Sequence, residues 1–192
     1  MTHKKKIADI LIEGISDIIL PIIPLLTASG IMKGILLILA TCGVLSQDGE
    51  TYLVLDAIAD SAFYFLPVLL AVTASKKFGA STFTAVAIAG VLLYPALTAV
   101  LEAGEDLHFL GLPMKGVIYH SSVIPILLTV ALLHYVEGFF HKHLPELIES
   151  SLTPLFSVLV CSLAALLVFG PAGGLIGDGL AGIYSVVYTF SP

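Results

Sequence analysis

Residues 52–75 read "YLVLDAIADSAFYFLPVLLAVTAS". Asp56 and Asp60 are the only charged residues in this run, and Leu, Val, Ala, Ile and Phe fill most of the rest. At about 1.5 Å per residue, such a run has the length of a helix that crosses a bilayer, for which about 20 residues suffice. The period-2 alternation of a membrane β-barrel is absent. Helices that satisfy their own backbone hydrogen bonds in lipid are therefore expected. Asp56 and Asp60 are four apart and share a helix face near the outer end of this span, and Tyr64 continues that face one turn deeper. Pro67 removes a backbone hydrogen bond and predicts a kink. Two readings of this order of acids, aromatics and proline stand side by side. One is a kinked helix with a polar aromatic stripe; the other is an interfacial aromatic belt whose acids face outer water.

Composition extends the reading to the whole chain. Of 192 residues, 58% are hydrophobic and 11% charged, against about 25% charged in soluble domains. The fold class expected is an all-α integral membrane protein with about five transmembrane helices, over residues 18–45 (interrupted by Lys33), 52–75, 78–101, 116–136 and 150–177. "MTHKKK" at the start is basic like a signal peptide, but the apolar run after it is too long for one and has no small-residue cleavage site, so a retained first span is expected. "HKKK" at 3–6, "KK" at 76–77 and "HKH" at 141–143 alternate with "QDGE" at 47–50 and "EAGED" at 102–106. Positive-inside reasoning then places the amino terminus in the cytoplasm and the carboxyl terminus near the outer face, with only Lys115 out of pattern. A net charge of −6 argues against a nucleic-acid partner.

Residues 7–17 and 144–153 alternate apolar and acidic positions at helical spacing, and short amphipathic helices along the cytoplasmic surface are expected there. The outer connection "EDLHFLGLPMKGVIYHSS" (105–122) carries Gly111, Pro113 and Gly116 and suits a hairpin or re-entrant turn. Lys33, an ionisable group inside a span, is either a functional residue that needs a partner or a snorkelling one. Glu137, three residues after His134 and four before His141, reads as a solvated helix end or as a contact for a cytoplasmic partner. Prolines 21, 24, 95, 125 and 154 and "GPAGG" at 170–174 are dense for helices that merely anchor, as in the broken helices of transporters. Cys42 and Cys161 stand alone in apolar runs and read as packing thiols. Six histidines show no metal-ligand spacing, and neither a metal nor another cofactor is expected. Motifs of intramembrane proteases fail, because "LIGD" has Leu175 and "TASG" has Thr27 where glycine is required. No catalytic residue is expected in this chain.

Four stretches carry a family resemblance: "PIIPLLTASGIMKGIL" (21–36), "IADSAFYFLPVLLAVTASKKFG" (58–79), "YHSSVIPILLTVALLHYVEGFFHKHLP" (119–145) and "LTPLFSVLVCSLAALLVFGPAGGLIGDGLA" (152–181). In order and spacing, over almost the whole chain, they resemble the membrane subunit (EIIC) of the bacterial phosphotransferase system, in the β-glucoside, sucrose and trehalose branch of the glucose superfamily. The resemblance implies a multi-pass permease of the bacterial inner membrane. It would import a sugar while an EIIB subunit phosphorylates it, with phosphate relayed from phosphoenolpyruvate through EIIA and soluble carriers. It also implies about ten spans in two parts, a scaffold that homodimerises and a transport part that holds the sugar. On that pattern residues 1–17 are a cytoplasmic interfacial segment, 18–177 the scaffold, and 178–192 the start of the connection to the transport part. The family's sugar-binding Gly-Ile-Thr-Glu-Pro type motif and the Cys-Thr-Arg-Leu-Arg type phosphorylation site have no match here, so a truncated or split subunit is expected. From helix position alone, Lys33, Asp60, Tyr64, Tyr119 and Ser122 are the polar groups expected to face the substrate pathway between the two parts. Two other readings remain: a non-transporting scaffold that associates with full-length permeases, and a small independent channel.

Overall fold

A computed structural model describes residues 7–103, 107–109, 111–114 and 123–173. The chain is helical, with elements α1 (Ile7–Ile19), α2 (Ile23–Thr41), α3 (Glu50–Tyr64), α4 (Leu66–Phe78), α5 (Thr82–Leu92), α6 (Pro95–Glu102), α7 (Ile124–His143) and α8 (Glu146–Ala164). A short antiparallel hairpin of β1 (Leu107–Phe109) and β2 (Leu112–Met114) lies between α6 and α7, where the sequence suggests a hairpin. After α8 the chain makes a π turn at Ala165–Phe169 and stays helical to Gly173.

Four segments are long and apolar enough to cross a membrane: α2, α3 with α4 (Glu50–Phe78), α7, and α8 with the π turn (Glu146–Gly173). α5 and α6 reach that length only as a pair bent by 43°. Four of the five expected spans therefore have a helix with shifted bounds among the described residues, and the third has the bent α5–α6 pair. The fourth begins at Ile124 and runs through the basic "HKH", because His141, Lys142 and His143 form the last turn of α7, where cations complement the helix dipole. The segment at 144–153, expected to lie apart along the surface, instead makes the first turns of the continuous α8. With the π turn this helix covers 28 residues, or about 42 Å at 1.5 Å per residue, more than the roughly 30 Å of hydrocarbon.

Prolines mostly start helices here. Pro24, Pro67, Pro95 and Pro125 each occupy the first or second position of α2, α4, α6 and α7, where the missing N–H would have no intrahelical partner in any case. Pro67 interrupts the single span Glu50–Phe78 just after Tyr64, where the kink is expected, and Pro154 lies inside α8.

α4, α5, α7 and α8 form the core. Leu70, Ala71 and Ala74 of α4 pack with Ala85, Ile88, Ala89 and Leu92 of α5, Ile126, Val130 and Leu133 of α7, and Cys161 of α8. The alanines let helix backbones approach closely, which drives association where lipid offers no hydrophobic gradient. Gly173 makes the same provision at the end of the α8 span, where an added Cβ would lie 2.9 Å from Pro125 Cγ. Ile18 and Ile22, at the junction of α1 and α2, complete the cluster.

The basic end of this core is tied together by named bonds. Gly79 closes α4 in the left-handed region, at φ 70°, which glycine adopts without a Cβ penalty. Ser81 caps α5, its hydroxyl accepting from the Thr84 amide at 3.4 Å and the Thr84 hydroxyl at 3.0 Å. The Ser81 amide donates to the Glu137 carboxylate at 2.8 Å, and His134 Nδ1 lies 3.4 Å from the Gly79 carbonyl. Glu137 is buried, so the reading of a solvated helix end is corrected. Its charge is tolerated because it accepts a backbone N–H and sits at the positive end of the α5 dipole.

Glu137→Ala leaves the Ser81 amide without its acceptor and is expected to destabilise the detergent-solubilised protein by about 1–3 kcal/mol, the penalty of an unsatisfied buried donor. Glu137→Gln, which keeps an acceptor, is expected to lose less. Unfolding midpoints of the two variants check this.

Candidate functional site

α2 and α3 form an antiparallel hairpin packed face to face. Much of its remaining surface is apolar and exposed, including Ile31, Ile35 and Ile38 on α2 and Leu53, Val54 and Ile58 on α3. In this apolar surround Lys33 forms an ion pair with Asp60. Lys33 lies near the middle of α2, roughly 12–15 Å from either helix end at 1.5 Å per residue. A lone Lys or Asp at that depth costs about 2.5–3.5 kcal/mol on insertion scales, and a partner on the neighbouring helix offsets this by neutralising it. Lys33 therefore has the partner that the functional reading requires, one supplied by the adjacent span.

The pair is not sealed within the hairpin. Lys33 is 40% and Asp60 38% exposed at the side chain, so both present polar atoms to whatever adjoins the hairpin. Tyr64, one turn beyond Asp60, is partly exposed and meets the Phe65 ring edge-on at 5.1 Å between centroids. Asp56, one turn before Asp60 on the same face of α3, also lies near Lys33. One cation thus faces two carboxylates on the stripe that the sequence predicts. Three of the five expected residues, Lys33, Asp60 and Tyr64, are brought to one region; Tyr119 and Ser122 lie outside the described residues.

Two features escape the sequence reading. Lys77 Nζ at the end of α4 meets Asp17 Oδ2 of α1 at 2.5 Å, which fastens the amphipathic α1 to the basic end of the core. His141 pairs with Glu149 across the turn between α7 and α8. On α8, Thr153, Ser157 and Ser162 carry buried hydroxyls with no hydrogen-bond partner among the described residues; Thr153 and Ser157 share a face with Cys161. Among the described residues no group of three His, Cys, Asp or Glu is placed to hold a metal ion.

Comparison with known proteins gives the site its context. The family model "Phosphotransferase system, EIIC" matches residues 16–190. The chain is 36% identical over 180 residues to the beta-glucoside-specific EIIBCA component of Bacillus subtilis (strain 168), covering 94% of this chain and 30% of that protein. It is 34% identical over 178 residues to the sucrose-specific EIIBC component of Klebsiella pneumoniae, covering 91% and 39% respectively. With the arbutin-, cellobiose-, and salicin-specific EIIBC component of Escherichia coli (strain K12) it shares 35% identity over 172 residues, 88% of this chain and 35% of that one. No solved structure matches. The chain therefore spans about a third of the length of these relatives.

Replacing one member of the ion pair strands the other in the bilayer. Lys33→Met and Asp60→Asn are each expected to lower the yield of folded, membrane-inserted protein by a factor equivalent to about 2–3 kcal/mol, whereas the double variant recovers most of it. Membrane-fraction yield and unfolding in mixed detergent, compared across the four-member cycle, check the coupling.

Proposed function

The chain belongs to the EIIC family of the phosphotransferase system, and on that premise we propose that it acts in the membrane-spanning part of a sugar permease, importing a sugar whose phosphorylation by an EIIB partner completes the transfer. The observation that carries this reading is the family match over residues 16–190, which takes in α2 to α8 and so covers every helix able to cross a membrane among the described residues. The relatives are named for beta-glucosides, for sucrose, and for arbutin, cellobiose and salicin. A sugar of the β-glucoside or sucrose type is the substrate class we assign on that basis, and the sequence resemblance adds trehalose.

Within this reading the α2–α3 hairpin borders the substrate pathway. Lys33, Asp60 and Tyr64, joined by Tyr119 and Ser122, supply the polar groups there, and the partly exposed ion pair supports that placement because such a pair favours a polar neighbour over lipid. EIIB, which receives phosphate from EIIA, approaches the end of the bundle that carries Lys76, Lys77 and the last turn of α7. The names of the relatives support these partners, since each joins EIIB, and one also EIIA, to EIIC in a single component. A homodimer in the bacterial inner membrane completes the proposal.

Deleting the coding segment for this chain in its own host is expected to abolish phosphoenolpyruvate-dependent phosphorylation of one sugar in a panel of sucrose, trehalose, cellobiose and an aryl β-glucoside, and reintroducing it is expected to restore that activity. Unchanged phosphorylation of the whole panel in isolated membranes plus soluble carriers would overturn the assignment.

A further inference from the structure

Along α7 the residues Tyr135, Val136, Phe139 and Phe140 line an open groove of about 320 Å³, closed on its far side by Val160 of α8. Phe140 stacks on Phe156 of α8 at 5.3 Å between centroids and braces the wall between the two helices. Tyr135 is 73% and Phe139 56% exposed, so the groove opens outward from the core.

Helical spacing ends this groove in basic residues. Lys142 follows Phe139 by three positions and Tyr135 by seven, and His143 follows Phe139 by four and Phe140 by three, which places both basic residues on the groove's face one turn nearer the basic end. Contacts support that placement: the His143 ring stacks on Phe139 at 4.2 Å between centroids. The His143 Nδ1–H donates to the Phe139 carbonyl at 2.7 Å, which turns Nε2 away from the helix. His141, the third basic residue of this turn, is engaged by Glu149. Lys142 forms no ion pair among the described residues. An apolar channel at bilayer depth that ends in free cation chemistry at the headgroup level has the shape and charge order of one kind of molecule.

We propose that the groove between α7 and α8 binds an anionic phospholipid, with an acyl chain along Tyr135, Phe139, Phe140 and Val160 and the phosphate at Lys142 and His143. Basic residues next to apolar surface on the cytoplasmic side attract anionic lipid, at about a fivefold gain in local binding per cation. This assignment shares the last turn of α7 with the proposed approach of EIIB, but it rests on the α7–α8 groove and is tested by lipid contact alone, so it fails or holds independently of transport.

The sequence contains no tryptophan, so a single Tyr135→Trp substitution in the full chain gives a fluorophore that reports on the groove alone. Reconstituted into bilayers of phosphatidylcholine with increasing phosphatidylglycerol, each brominated in turn along the acyl chains, the protein is expected to show phosphatidylglycerol favoured over phosphatidylcholine at this tryptophan by about fivefold. Adding Lys142→Gln to the same chain is expected to bring the ratio near one while leaving quenching by brominated phosphatidylcholine in place. A ratio near one with Lys142 intact would overturn the proposal by reducing the groove to ordinary lipid contact. Absence of quenching by either lipid would overturn it in favour of a protein occupant, a second copy or another segment of a permease. Lys142 is exposed at a helix end, and a phosphatidylglycerol count by native mass spectrometry of the unsubstituted protein against Lys142→Gln gives an independent readout, expected to fall by one bound lipid.

Discussion

A carboxylate in the interior of a membrane bundle has to be satisfied by something stronger than lipid, and Glu137 finds it in the backbone of another helix. By accepting the Ser81 amide at 2.8 Å it fixes where α5 begins, and His134, one turn earlier on α7, addresses the Gly79 carbonyl of the same reversal. The turn between α4 and α5 is thus held from outside as well as by its own glycine and serine. With that turn fixed, α5 lies against α4 and α8, and the alanine faces of α4 and α5 meet. The hydroxyl of Ser75 adds a 3.0 Å bond to Thr82 across the turn. Rigidity therefore concentrates at the basic end of the core, where the part-buried bonds of Ser81 to Glu137 and of Ser75 to Thr82 cross between elements.

Hydropathy made the spans legible because the bilayer imposes one length and one composition on each of them. It fixed bounds less well. The fourth span was expected at 116–136, yet α7 runs on to His143, since charge marks a helix end only to within the turn or two over which lysine and histidine can extend toward water. Glu137 illustrates a deeper limit. Its spacing from His134 and His141 is that of a solvated helix end, and nothing local shows that the Ser81 amide arrives beside it from residues far earlier in the chain. The ion pair of Lys33 with Asp60 lies between these cases: each residue was singled out in the sequence, but their meeting depends on how α2 and α3 face each other. Prolines read as breaks within spans, and Pro67 and Pro95 do interrupt theirs, whereas Pro24 and Pro125 sit in the first turn of α2 and α7, where no intrahelical hydrogen bond is lost.

The two parts of the described chain differ in how they meet their surroundings. The α4–α5–α7–α8 core buries its own apolar residues, whereas α2 and α3 leave most of theirs outward, with Leu26 of α2 and, at the α1–α2 junction, Ile18 and Ile22 reaching the core. Such an arrangement suits an EIIC protein, because a hairpin with few interior contacts can be completed by lipid on one side and by protein on another without disturbing the core. The relatives are roughly three times as long as the shared segment, so in them this surface has further chain to meet.

The placement of Lys33 and Asp60 on successive helices has a consequence for biosynthesis. A span that carries an unpaired lysine enters the bilayer at a disadvantage, and during synthesis α2 emerges before its partner exists. Because the countercharge arrives on the very next helix, the unfavourable interval lasts only while α3 is being made. Insertion of the two as one hairpin would then deliver a neutral pair to the membrane, ahead of the helices that build the core.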